Sequence, residues 1–254
     1  PSDTYKKFDA YQSNGQSALL QEVKESLQER YPKTDISGDG QVVVIEFNHY
    51  TVELVPGFKQ SDGRFKYPDT HNGGSWKYTN PLPEQDACQA CDETSNGIYF
   101  DFCHIIRKWK NEQGFKFGGL LIDTLVHDHF EDNEFYKTAS IDDYFDILKN
   151  LLSYLGEQDK DRTYWYAVGS NQQVMNSGNG AFVDKAKDAL EEINAAELED
   201  NISTTLQQLL GNEYPVEQPV MENATFAVCS FDHTEQFIRN LFPVDIRYSL
   251  SLDC

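Results

Sequence analysis

The chain is short of positive charge: 21 lysines and arginines stand against 42 aspartates and glutamates, a formal net charge of −21 over 254 residues. That deficit argues against strong nucleic-acid binding, because holding a polyphosphate backbone relies on clustered Lys and Arg. Small nucleotides stay within reach, since a local pocket of a few cations with bound metal holds a triphosphate inside an acidic protein. Long apolar runs are missing too. No stretch approaches the ~18 residues of a bilayer-spanning helix and no basic-then-apolar segment opens the chain, so no membrane association and a cytoplasmic location are expected. The five cysteines are odd in number and irregularly spaced, which speaks against an extracellular disulfide framework and for reduced thiols. No internal repeat is visible. With 39% hydrophobic and 13% aromatic residues, the chain can bury a core as one large or two closely packed domains.

Residues 42–47 and 51–55 are rich in β-branched side chains, Asn48-His49 sits between them as a short hairpin connection, and Pro56-Gly57 stops the second run. The spacing predicts two paired strands with Glu53 in the middle of the second. A mid-strand carboxylate needs a cation, a hydrogen-bond network or open solvent on its face of the sheet. Two readings stay open: a metal ligand, or an edge-strand glutamate pointing into water. Ser17 is expected to cap a helix whose Leu19, Leu20, Val23 and Leu27 share one face, with Pro32 ending it. Residues 57–87 mix Gly, Pro, Asp and aromatics and read as a long ordered loop with short extended pieces. Phe65, Tyr67, Trp76 and Tyr78 along it either stack on a purine or pin the loop to the core, and pinning is the expectation for Trp76.

From Gly97 onward, helices are predicted over 98–111, 118–130, 141–155, 181–198 and 201–210. In the first of these, Ile98, Phe102, Ile105, Ile106 and Trp109 make the apolar face, while Tyr99, Cys103, Arg107 and Lys110 form a second stripe. Cys88-Gln-Ala-Cys91 with Cys103-His104 offers candidate zinc ligands, although neighbours on a helix point ~100° apart and share one ion poorly. His127-Asp128-His129 offers a second set of candidate ligands or histidines placed near a helix C-terminal dipole, and the dipole reading is the expectation. Residues 213–220 form a Pro-rich linker, 232–241 a short capped helix, and 244–254 alternate as a half-buried strand.

The order of motifs carries a resemblance. Val52-Glu53-Leu54-Val55-Pro56 is followed by Gly73-Gly74-Ser75-Trp76 with Thr79-Asn80-Pro81, then Ile105 to Asn111, then Gly119-Leu-Leu-Ile-Asp123, then Gly169 to Val174 and Gly178 to Val183. This series resembles the bacterial nucleotidyltransferases that make cyclic di- and oligonucleotide signals, relatives of the oligoadenylate synthetases and of cyclic GMP-AMP synthase. The resemblance implies an α+β fold: a polymerase-β-like sheet lobe and a mainly helical, oligoadenylate-synthetase-like lobe. The expected divisions are 1–87 for the nucleotidyltransferase core and crossing loop, 88–211 for the helical lobe, and 212–254 for a linker and the start of a sensor-like segment.

It also implies a chemistry. The family grips two magnesium (or manganese) ions with an Asp-x-Asp pair behind a Gly-Ser turn and a single acid on a neighbouring strand. Glu53 matches the single acid. Residues 1–40 contain neither the turn nor the pair, so the chain is expected to begin downstream of half its catalytic centre and to be inactive by itself. A family lysine that reaches nucleotide phosphates stands two residues before the helix tryptophan. Here that position is Arg107, with Lys108 and Lys110 beside it, and Gly119 replaces the family serine near the next helix start, leaving backbone N–H groups for the anion. The implied substrates are ATP and, as a second candidate, GTP. The implied product activates a separate effector protein in antiviral defence. The alternative reading is a catalytically incomplete nucleotide-binding or regulatory module.

Overall fold

In the computed structural model, which describes residues 2–11, 14–131, 133–199, 201–212 and 214, the predicted strand pair forms as β2 (Val42–Glu46) and β3 (Thr51–Leu54). They are antiparallel, with Val43 opposite Leu54 and Val44 opposite Glu53. A third strand that the pattern did not announce, β1 (Asp35–Asp39), pairs on the other side of β2, so β3 is an edge. Its composition, Asp-Ile-Ser-Gly-Asp, carries one apolar residue, and only pairing with β2 holds it extended.

Ahead of this sheet lie α1 (Ser2–Asp9) and α2 (Gly15–Arg30). The second begins three residues earlier than expected: Asn14, in the left-handed region, is its N-cap in place of Ser17, which lies inside the helix. Leu20 of α2 packs on Ile36, Val43 and Ile45, with Val23, Leu27 and Phe47 at the margin. Strand parity then puts Val44 and Glu53 on the sheet face turned away from the helix.

Residues 57–79 are more regular than a loop. They form an antiparallel meander of β4 (Phe58–Lys59), β5 (Phe65–Asp69) and β6 (Ser75–Thr79). Cross-strand aromatics explain the correction, since ring-bearing residues favour a pleated, half-buried surface. Trp76 meets Tyr5 and Phe58 edge-on at centroid distances of 5.3 and 5.8 Å, which pins the meander to α1. These elements belong to a first compact unit, residues 1–82.

The second unit, from residue 83 on, is helical, with α3 (Pro81–Thr94) leading into it. That helix was not expected; Pro81 and Pro83 read as breakers, but in a first turn proline costs no hydrogen bond. There follow α4 (Ile98–Glu112), α5 (Gly119–Phe130), α6 (Tyr144–Gly156), α7 (Ala181–Glu199) and α8 (Ile202–Leu210). A hairpin of β7 (Tyr164–Tyr166) and β8 (Gln173–Met175) lies between α6 and α7. The apolar face of α4 is buried as predicted. Tyr99 and Cys103 of its second stripe are buried too, because α4 has helices on more than one side. The linker 213–220, helix 232–241 and strand 244–254 lie outside the described residues, Tyr214 excepted.

The β7–β8 turn is held by close approach. Gly169 sits at φ +72°, and a Cβ there would lie 2.0 Å from the Pro83 carbonyl oxygen. Ser170 Oγ and Gln172 Nε2 both donate to Glu84 on α3, at 2.6 and 3.2 Å. Gly169→Ala is therefore expected to destabilise the chain by about 3 kcal/mol, from backbone strain plus overpacking, as read by urea denaturation.

Candidate functional site

Glu53 is solvent-exposed at the middle of the edge strand β3. The hairpin register places its carboxylate on the outer face, among no apolar side chains of the α2-packed core. Among the described residues, the outer edge of β3 has no partner strand. The geometry is compatible with both readings left open by the sequence.

The sheet unit holds a second acidic centre that sequence reasoning missed. Asp69, at the end of β5, is buried. Its carboxylate accepts from Lys77 Nζ at 2.5 Å and from both Nδ1 (2.6 Å) and the backbone N–H (3.1 Å) of His71. The Lys77 ammonium, then the His71 donors, hold this carboxyl far below the usual carboxylate range. His71 in turn lies over Gly40 in the β1–β2 turn, where a Cβ would fall 2.3 Å from its Cε1, and Gly40's carbonyl accepts from Thr70. The network thus ties the meander to the first sheet. The only sequence signal was an acid and a lysine on neighbouring strands of an unrecognised meander. Because the folded pKa is depressed, the stability from Asp69 is full above about pH 4 and is lost as pH falls through the lower folded value. Asp69→Asn is expected to melt earlier than the parent at pH 7, with the gap closing only below about pH 4.

In the helical unit, Arg107 and Gly119 come together. Arg107 Nη2 donates to both carboxylate oxygens of Asp123 (2.6 and 2.7 Å) and to the Gly119 carbonyl (3.2 Å), while Nη1 reaches the Cys103 carbonyl (3.0 Å). The guanidinium is half-buried. Burial opposes its charge, and Asp123 more than restores it. Gly119 opens α5 behind Gly118, whose position gives no side-chain cap, so the first N–H groups of α5 are not met by a capping side chain. Lys108 pairs with Glu112 at 2.8 Å, and Lys110 is half-buried one turn after Arg107.

Among the described residues, the cysteines and His104 do not come together as a metal-ligand group. Cys88, Cys91 and Cys103 are buried free thiols, and Tyr99 Oη lies 3.0 Å from Cys88 Sγ. His104 sits on the exposed side of α4 while Cys103 faces inward. Burial pushes the Cys91 thiol up to about 12 and raises Cys103 as well, which makes these poor thiolates. His129 also departs from expectation. Burial lowers its pKa to about 4, and it takes a 2.7 Å hydrogen bond with Tyr136, so at neutral pH it carries no charge for the helix dipole to favour.

Comparison with known proteins bears on both units. Residues 1–92 match the Second Messenger Oligonucleotide or Dinucleotide Synthetase domain. A probable cyclic nucleotide synthase of Bacillus cereus (strain VD146) is 23% identical over 144 residues, 53% of this chain, and the match covers 43% of that relative's length. Escherichia coli DncV, in its 3'-deoxy GTP bound form, superposes with a TM-score of 0.55 at 11% identity, over 74% of this chain and 54% of DncV. The Elizabethkingia meningoseptica CdnE cyclic dinucleotide synthase, solved with GTP and Apcpp, gives 0.49 at 12% identity, over 69% of this chain and 71% of CdnE. The α+β fold is accordingly of the polymerase-β-like type seen in DncV. Over residues 1–92, the chain is thus similar to the Second Messenger Oligonucleotide or Dinucleotide Synthetase domain family.

Proposed function

We propose that this chain is part of a nucleotidyltransferase that joins nucleoside triphosphates, ATP and as a second candidate GTP, into a cyclic di- or oligonucleotide. The observation that carries the reading is the placement of Glu53: an exposed carboxylate centred on the edge strand of a sheet that lies within the synthetase-matching residues. An exposed, strand-fixed carboxylate fits one ligand position of a divalent cation. Magnesium or manganese bound there would supply a hydroxyl of lowered pKa and offset charge at the α-phosphate. Glu53 contributes the formal negative charge that fixes that ion, on a strand too constrained to let the carboxylate drift.

Arg107 and the start of α5 would serve the triphosphate. A planar guanidinium beside uncapped helix N–H groups is a chemistry suited to phosphate oxygens. Asp123 fixes the guanidinium's orientation, and a phosphate would share or replace that carboxylate. Lys108 and Lys110 add positive charge on the same helix. Support for a product that activates an effector protein in antiviral defence comes from the resemblance of the motif series.

A second reading, a nucleotide-binding module without chemistry, is favoured by one observation: β3 offers a single carboxylate and its outer edge has no partner strand among the described residues. Incubation with labelled ATP and GTP plus Mg²⁺ or Mn²⁺ separates the two. A longer protein that contains this chain and an Asp-x-Asp strand should yield cyclic product, while the 254-residue chain alone should leave both nucleotides intact. Robust product from the chain alone would overturn the need for a further acid pair. Binding without turnover in the longer protein would favour the module.

A further inference from the structure

The last turn of α5 gathers three groups that neither the resemblance nor the proposed chemistry uses. His127 Nδ1 lies 3.8 Å from Glu131 Oε2 and 4.0 Å from Asp128 Oδ1. All three ligand atoms fall within 4.8 Å of one another, the one such grouping among the described residues. Spacings of this size suit a shared ion, since ligands at 2.0–2.2 Å from zinc sit roughly 3–4 Å apart. The helix ends at Phe130 and Glu131 turns to extended backbone, one helical turn after His127, with its carboxylate near the His127 ring.

Three independent features favour an ion. Nδ1 of His127 is buried and makes no hydrogen bond among the described residues, an outlay that native structures usually avoid. Among those residues, no lysine or arginine pairs with Asp128 or Glu131; Lys137, across the cavity, is held by Glu134 at 2.5 Å. The carbonyls at the end of α5 add negative potential at the same place. A cavity of about 310 Å³ adjoins the cluster, lined by Cys91 and Thr94 of α3 and the following Ser95 with His127 and Glu131, and gives a route of entry.

We propose that His127, Asp128 and Glu131 form a binding site for a first-row divalent transition ion of the zinc class. One imidazole nitrogen with two carboxylate oxygens prefers zinc or cobalt over magnesium, whose requirement for near-octahedral oxygen ligands it does not meet. The ion fastens the end of α5 to the turn that follows and is separate from the divalent cation proposed at Glu53.

Zinc titrated into the metal-free, reduced 254-residue chain tests this, with calorimetry for stoichiometry and cobalt absorption for coordination. The expected result is a zinc site that raises the melting temperature, persists in excess Mg²⁺, and is weakened at least tenfold by His127→Gln and by Glu131→Gln. Glu131 is exposed, so its variant folds whatever the outcome at His127. Glu53→Gln should leave the titration unchanged, which keeps this site distinct from the catalytic reading. An absence of zinc binding, binding equal in His127→Gln and the parent, or binding abolished by Cys88→Ser/Cys91→Ser with His127 intact would each overturn the proposal.

Discussion

Glu53→Gln, made in an active protein that contains this chain, is expected to lower turnover on the order of a thousandfold, about 4 kcal/mol of transition-state stabilisation, while leaving folding within about 0.5 kcal/mol of the parent. The two halves of that expectation have separate causes. The amide is nearly isosteric with the carboxylate but cannot offset a divalent ion's charge, so the activated hydroxyl is lost. Stability is spared because Glu53 is exposed, lies on the sheet face away from α2, and contributes nothing to the Leu20–Ile36–Val43–Ile45 core. Thermal melts run beside the nucleotide assay check both. Wild-type turnover in the variant would make Glu53 an ordinary edge-strand glutamate and would remove the anchor of the catalytic reading.

Arg107→Ala, in the same protein, is expected to reduce kcat/KM about tenfold to a hundredfold, mainly through a raised KM, and also to destabilise the helical unit. A side chain that only positions the triphosphate interacts similarly with ground and transition states, which is why the loss falls on KM. The stability effect follows from geometry that the sequence did not disclose. Removing the guanidinium strips a partly buried Asp123 of both short hydrogen bonds and takes an additional donor from the Gly119 and Cys103 carbonyls. A loss of about 2 kcal/mol is expected, less than for a fully buried pair because both side chains keep some contact with water. The double variant Arg107→Ala/Asp123→Asn separates the roles. It should recover part of the stability, since no unpaired carboxylate remains, but none of the KM. Recovery of both would assign Arg107 to structure alone.

Legibility in the sequence followed the range of the interactions. The β2–β3 hairpin was readable because register over a short turn is set by neighbours within a dozen residues. The inner face of α4 was readable because 3.6-residue periodicity is intrinsic to one helix. The motif order from Val52 to Val183 also lies in the sequence alone, and it pointed to the family that the match over residues 1–92 supports. Strand β1 was missed because its residues have little strand preference and are held by β2, and α3 because its prolines look like breakers until their place in the first turn is known.

The polar centres were decided only by tertiary structure. Asp69 meets Lys77 across a strand pair, Arg107 meets Asp123 across two helices, and His127 meets Glu131 through a helix end whose position no periodicity defines. In each case the composition allowed many partners for the charge, and the choice among them came from backbone packing elsewhere. Burial then converted proximity into chemistry: it makes an unpaired charge or ring nitrogen costly, so the groups that the apolar core carries inward must find each other, a hydrogen-bond donor or an ion.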